Sequence, residues 1–119
     1  MFKPKTSNAK KFSKPRLYES VDWIEYRNKF IAVNPKCYAC GARAVIVDHV
    51  VSHKGDEKKF WDAYNYIPLC KEDHDKITGL FDRHVDSRIE QKLSWITAKR
   101  VETNTTIVVK VVPIPLKQR

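Results

Sequence analysis

The sequence predicts a small α+β fold. Three patterns carry that expectation: an aromatic stripe at helical spacing after Val21, a β-branched run at Ala44–Val51 answered by a second at Tyr66–Leu69, and another helical stripe after Ser87. At 119 residues the chain has room for one domain. The reading divides it into a flexible basic arm over 1–15 and a single domain over 16–119, with the chemically dense core at 37–78 and a C-terminal extension at 83–119.

Each element has a local reason. The arm is Lys-rich and interrupted by Pro4, Ser7, Asn8, Ser13 and Pro15, so it lacks a packing period. Trp23, Tyr26, Phe30 and Val33 recur at three- and four-residue spacing. Ser20 suits the cap of that helix, Asp22 suits its first turn, and Pro35 stops it. The run Ala44–Val51 is apolar and β-branched except for Asp48 and His49, which is how a buried strand looks when it carries a site. Gly55 and Asp56 mark a turn, and Phe60, Trp61 and Tyr64 lead back through Asn65 to a second strand near Tyr66–Leu69, making a long-looped hairpin. Cys70–Ile77 reads as a short helix with Gly79 as its exit. Ser87 and Glu90 have capping-box spacing ahead of a helix whose apolar face is Ile89, Leu93 and Ile96 and which Asn104 breaks. Thr105–Val112 is almost purely β-branched and is expected to be a strand, bounded by Pro113 and Pro115.

Twenty-three Lys and Arg against fourteen Asp and Glu leave a net charge of +9, above the range of about 2 to 8 that solubility asks of a small domain. That excess points to a polyanionic partner. No apolar run approaches the roughly 20 residues of a membrane span, so no membrane partner is expected. Cys37, Cys40 and Cys70 cannot all pair within the chain, and with no export signal they are expected to stay reduced in the cytoplasm as candidate metal ligands.

Cys37-Tyr-Ala-Cys40-Gly41 can form a knuckle in which two thiolates reach one zinc ion, Gly41 allowing the sharp turn behind them. Cys70 offers a third thiol, and Asp73, three residues on, a carboxylate as fourth ligand. The alternative is that the cysteines pack as small hydrophobes. Asp48 and His49 are costly in an apolar strand unless each has a partner; a buried structural histidine would explain His49 alone but not Asp48 beside it.

These residues carry a resemblance. Asp48-His49-Val-Val-Ser-His53-Lys-Gly55-Asp56, then Phe60-Trp61-Asp62, Asn65, Pro68-Leu69-Cys70 and His74-Asp75-Lys76-Ile77-Thr78 resemble the HNH endonuclease (ββα-metal) motif and are similar to small free-standing phage enzymes. The likeness begins upstream at Trp23, Arg27, Phe30 and Asn34-Pro35-Lys36-Cys37, and ends near Thr78. It departs from the pattern at Asp73, where related sequences usually have a fourth zinc cysteine, and at Ile77, where they often have a lysine.

The resemblance implies a zinc-knuckle ββα core and a metal-dependent endonuclease hydrolysing DNA phosphodiesters, leaving 5′-phosphate and 3′-hydroxyl ends. Asp48 and His74 would ligate one divalent ion (Mg, Mn, Ni or Zn), His49 would be the general base, and Asn65 would hold the loop that orients it. Cys37, Cys40, Cys70 and Asp73 would form a structural zinc site. His53 would contact a phosphate or a loop. The flanking Arg43, Lys54, Lys58, Lys59, Lys76 and Arg83 supply candidate phosphate contacts on double-stranded DNA. A homodimer or a phage packaging partner stays open. The competing reading is a non-catalytic zinc-ribbon-like adaptor that binds nucleic acid or serves phage assembly. A redox role for Cys37 and Cys40 lacks the strand-to-helix setting that chemistry needs.

Overall fold

The computed structural model describes residues 14–82 and 88–118, and it places a two-stranded antiparallel sheet between an aromatic layer and a pair of helices. A short helix α1 (Lys14–Tyr18) begins just inside the segment expected to be an arm; expectations for residues 1–13 lie outside the described residues. Ser20 then caps α2 (Val21–Val33), its Oγ accepting from the Trp23 amide at 3.1 Å, and α2 buries Trp23, Tyr26 and Phe30 as their spacing predicts. Asn34 closes the helix immediately before Pro35.

Strand β1 (Ile46–His49) pairs with β2 (Tyr66–Leu69) in the register Ile46↔Leu69, Val47↔Pro68, Asp48↔Ile67, His49↔Tyr66. Between them lies α3 (Glu57–Phe60), capped by Asp56, whose carboxylate accepts from the Lys58 and Lys59 amides. Side chains alternate across a strand, so this register sorts residues onto two faces. Val47, His49 and Tyr66 face a core of Trp23, Tyr26, Phe30, Phe60 and Trp61, while Asp48, Ile67 and Leu69 face a second core with Ile77 and Ile96. The second core is built on α4 (Lys71–Ile77) and α5 (Ile89–Glu102). Among the described residues no helix is long and apolar enough to cross a membrane.

Three expectations are corrected. The α4 helix does not leave at Gly79: it runs on as a π-helical turn, Thr78–Asp82, and Gly79 lacks the positive φ of a helix exit. The face of α5 is not Ile89, Leu93 and Ile96. Leu93 is exposed, and Lys92 is fully buried beside Ile96. Ser87 lies outside the described residues, and the described α5 has Arg88 at its N-cap position with no side-chain cap.

Thr105–Val112 forms no strand. It is an extended strap held by side chains in place of a ladder. Asn34 donates to the Lys110 carbonyl at 2.9 Å and accepts its amide at 2.7 Å, Tyr26 donates to the Val112 carbonyl at 2.6 Å, and Arg100 donates to the Ile107 carbonyl at 3.0 Å. Val112 and Ile114 anchor the strap in the aromatic core. A short 3₁₀ turn, Leu116–Gln118, follows.

Because Asn34 is buried and serves both polar groups of Lys110, Asn34→Ala is expected to cost about 1–3 kcal/mol in urea unfolding. Amide exchange should quicken selectively around Lys110; unchanged stability and exchange would contradict the anchoring role.

Candidate functional site

Two clusters of chemically capable side chains flank the sheet. In the first, Gly41 at φ 80° lets the chain reverse, with its amide donating to the Cys37 carbonyl at 2.8 Å, so Cys37 and Cys40 converge. Cys70 is the N-cap of α4 and Asp73 lies in its first turn, which brings both to the same place. The four ligand atoms lie within 4.8 Å of one another, with Cys37 Sγ 3.3 Å from Asp73 Oδ2 and Cys40 Sγ 3.8 Å from Cys70 Sγ. Tetrahedral thiolates about 2.3 Å from a metal lie roughly 3.8 Å apart, so the cluster could hold a metal ion. Burial pushes the Cys40 and Cys70 thiols up. Burial would also raise Asp73, but hydrogen bonds from the Cys40, Cys37 and Cys70 thiols outweigh it, and Lys99 adds to them, so its carboxyl lies below the usual range.

In the second cluster, the odd register of Asp48 turns it toward the helices. Its Oδ1 lies 3.8 Å from His74 Nε2 on α4, and its Oδ2 lies 3.1 Å from Lys92 Nζ on α5. The Lys92 ammonium also donates to the His49 carbonyl at 2.9 Å, the Val50 carbonyl at 2.8 Å and the Asp82 carboxylate at 3.1 Å. Three protons serve those three partners, so Asp48 Oδ2 receives charge attraction without an aligned hydrogen bond. It has no hydrogen-bond donor among the described residues. Burial raises Asp48 and Lys92 opposes that rise, the net direction being upward.

His49 points to the other face, stacked on Trp23 at 5.8 Å between ring centroids and packed against Phe60 and Tyr66. Its Nε2 lies 3.0 Å from the Phe60 carbonyl. A carbonyl can only accept, so the proton belongs on Nε2 and Nδ1 carries the lone pair. Tyr18 Oη lies 3.3 Å from that Nδ1 and 3.1 Å from His53 Nε2, and His53 Nδ1 accepts from the Gly55 amide at 2.9 Å. The polarity therefore runs one way, from His53 through the Tyr18 hydroxyl to His49. The Tyr18 phenol is pushed up to about 12, first by burial and then by the charges of Asp48 and Asp82.

Asn65 does not touch the His49 ring. It accepts from the Val51 amide and donates to the Val51 carbonyl, each at 2.9 Å, while its own carbonyl accepts from the Val50 amide at 2.8 Å, so it pins the chain just past His49. Arg43, Lys54, Lys58, Lys59 and Lys76 are exposed, and Arg83 lies outside the described residues. Sequence reasoning missed Tyr18, Asp82 and Lys92. The signal for Lys92 was present, as one lysine at helical spacing between Ile89 and Ile96.

No family model matches the chain, and neither a curated protein nor a solved structure matches it.

Cobalt(II) added to the reduced protein is expected to give thiolate-to-metal charge-transfer absorption that Cys37→Ser diminishes and Asp73→Ala weakens less. Since the metal must displace protons from thiols raised by burial, its apparent affinity should fall as pH is lowered through neutrality. Absence of the band, or affinity independent of pH, would rule out thiolate ligation here.

Proposed function

We propose that the chain is a metal-dependent DNA endonuclease of the HNH type, with a ββα-metal core formed by β1, β2 and α4. The reading rests on one observation: Asp48 Oδ1 and His74 Nε2, from separate elements, stand 3.8 Å apart, beside a buried carboxylate oxygen with no hydrogen-bond donor among the described residues. Two ligands each about 2.0–2.2 Å from a shared ion can be that far apart. The donor set therefore fits a divalent ion such as Mg, Mn, Ni or Zn, which when bound there would supply Lewis-acid stabilisation of a phosphate oxygen and of the leaving 3′ oxygen.

The chain's own residues do the rest. Phe60 fixes the His49 ring with Nδ1 as acceptor, and Tyr18 marks the direction from which that atom takes a hydroxyl proton. In the proposed step a water oxygen attacks phosphorus, its proton passes to His49 Nδ1, and the bond to the 3′ oxygen breaks. General-base assistance of this kind is worth roughly 10²–10⁴ in rate. Asn65 keeps the end of β1 from fraying and so holds the base in register. The net charge of +9 and the exposed Arg43, Lys58, Lys59 and Lys76 favour the phosphate backbone. Cys37, Cys40, Cys70 and Asp73 serve in this reading as a structural zinc site that ties the knuckle to α4.

Supercoiled plasmid incubated with Mg²⁺ or Mn²⁺ should be converted to nicked or linear form. His49→Ala should lower the rate by roughly 10²–10⁴ while leaving DNA binding intact, and His74→Ala should require far more metal. DNA binding by the native chain with no nicking in any metal would favour the adaptor reading instead.

A further inference from the structure

We propose that Lys92 is a positioning residue that aims the Asp48 carboxylate at the ion shared with His74 and fixes the backbone of the general base; the inference rests on the nuclease reading above. A lysine ammonium removed from water is expensive, and packing alone offers no reason to place one where a methionine would fit. Lys92 is nonetheless fully buried, and each atom it reaches belongs to the site or its rim.

Its contacts divide into two tasks. Toward the backbone, Nζ binds the carbonyls of His49 and Val50 at 2.9 and 2.8 Å, where β1 ends and its ladder can no longer hold the chain. Toward the side chains, it draws in Asp82 at 3.1 Å and Asp48 Oδ2 at 3.1 Å. With Oδ2 held on that side, the Asp48 carboxylate cannot rotate freely, and Oδ1 is the oxygen left facing His74. Two carboxylates and one ammonium leave a single net negative charge, so the site can still attract a cation. Lys92 also assigns work to a region outside the recognisable motif, since it carries α5 to the end of β1.

The competing view is that Lys92 is only a structural ion pair, or that its positive charge merely repels the metal. Lys92→Met combined with Asp82→Asn separates these possibilities, because it removes one charge of each sign and leaves the field at the ion nearly unchanged. Replacing both partners of a buried pair is tolerated far better than stranding one. The readout is Mn²⁺ binding followed by electron paramagnetic resonance, with urea unfolding beside it and Asp48→Asn as reference.

Native protein should bind Mn²⁺ and Asp48→Asn should lose that binding; the double variant should stay folded yet bind on the order of 10- to 100-fold more weakly. At saturating Mn²⁺ its nicking rate should remain below native, because the His49 carbonyl has also been released. Wild-type Mn²⁺ affinity in the folded double variant would overturn the positioning role while leaving the nuclease reading intact. Unchanged Mn²⁺ binding by Asp48→Asn would instead sink the nuclease site and this inference with it. If the methionine variant fails to fold, Lys92→Gln with Asp82→Asn keeps a donor for the two carbonyls but presents no charge to Asp48, and the same weakening is expected.

Discussion

Two ionisable side chains, adjacent in sequence, are buried on opposite faces of a four-residue strand, and the surrounding structure is arranged around compensating them. Strand alternation forces the split: His49 goes to the aromatic layer and Asp48 to the helices. Each then needs polar partners in a dry setting. His49 obtains the Phe60 carbonyl and the Tyr18 hydroxyl, and Asp48 obtains the charge of Lys92 and the edge of His74. Among the described residues the compensation is complete for His49 and incomplete for Asp48, and that asymmetry is the physical basis for proposing a cation at one and proton transfer at the other.

The rest of the fold can be understood as holding that strand end still. A two-stranded sheet is marginal by itself, so β1 and β2 depend on layers to either side. The aromatic layer is contributed by α2 and by the loop through Phe60 and Trp61; the other layer comes from α4 and α5. The thiol cluster joins the knuckle to the first turn of α4, which is the helix that carries His74. A metal there would fix the helix bearing one proposed ligand relative to the strand bearing the other.

Much of this was legible in the sequence where one periodicity dominated. The α2 stripe, its Ser20 cap and the paired runs at Ile46–His49 and Tyr66–Leu69 follow from local rules. The approach of Asp48 to His74 was expected from the resemblance, whereas the Cys37, Cys40, Cys70 and Asp73 cluster could be anticipated from spacing. The failures share a cause. Thr105–Val112 has the composition of a strand, but whether a strand forms depends on a partner edge, and here Asn34 and Tyr26 satisfy the backbone instead. Lys92 went unremarked because lysine usually lies at the surface, and only tertiary contact with Asp82 and the β1 carbonyls makes its burial tolerable. Tyr18 precedes any recognisable pattern, and its role exists only because α1 folds over the two histidines.

The central claim is that Asp48 and His74 together hold a divalent ion next to the acceptor atom of His49. Crystals grown with Mn²⁺ and measured for anomalous scattering address it without reference to activity. The account predicts a manganese peak within bonding distance of Asp48 Oδ1 and His74 Nε2, with the Lys92 ammonium still on Oδ2. A peak confined to the thiol cluster, or an Asp48 carboxylate closed onto Lys92 with no metal beside it, would contradict it.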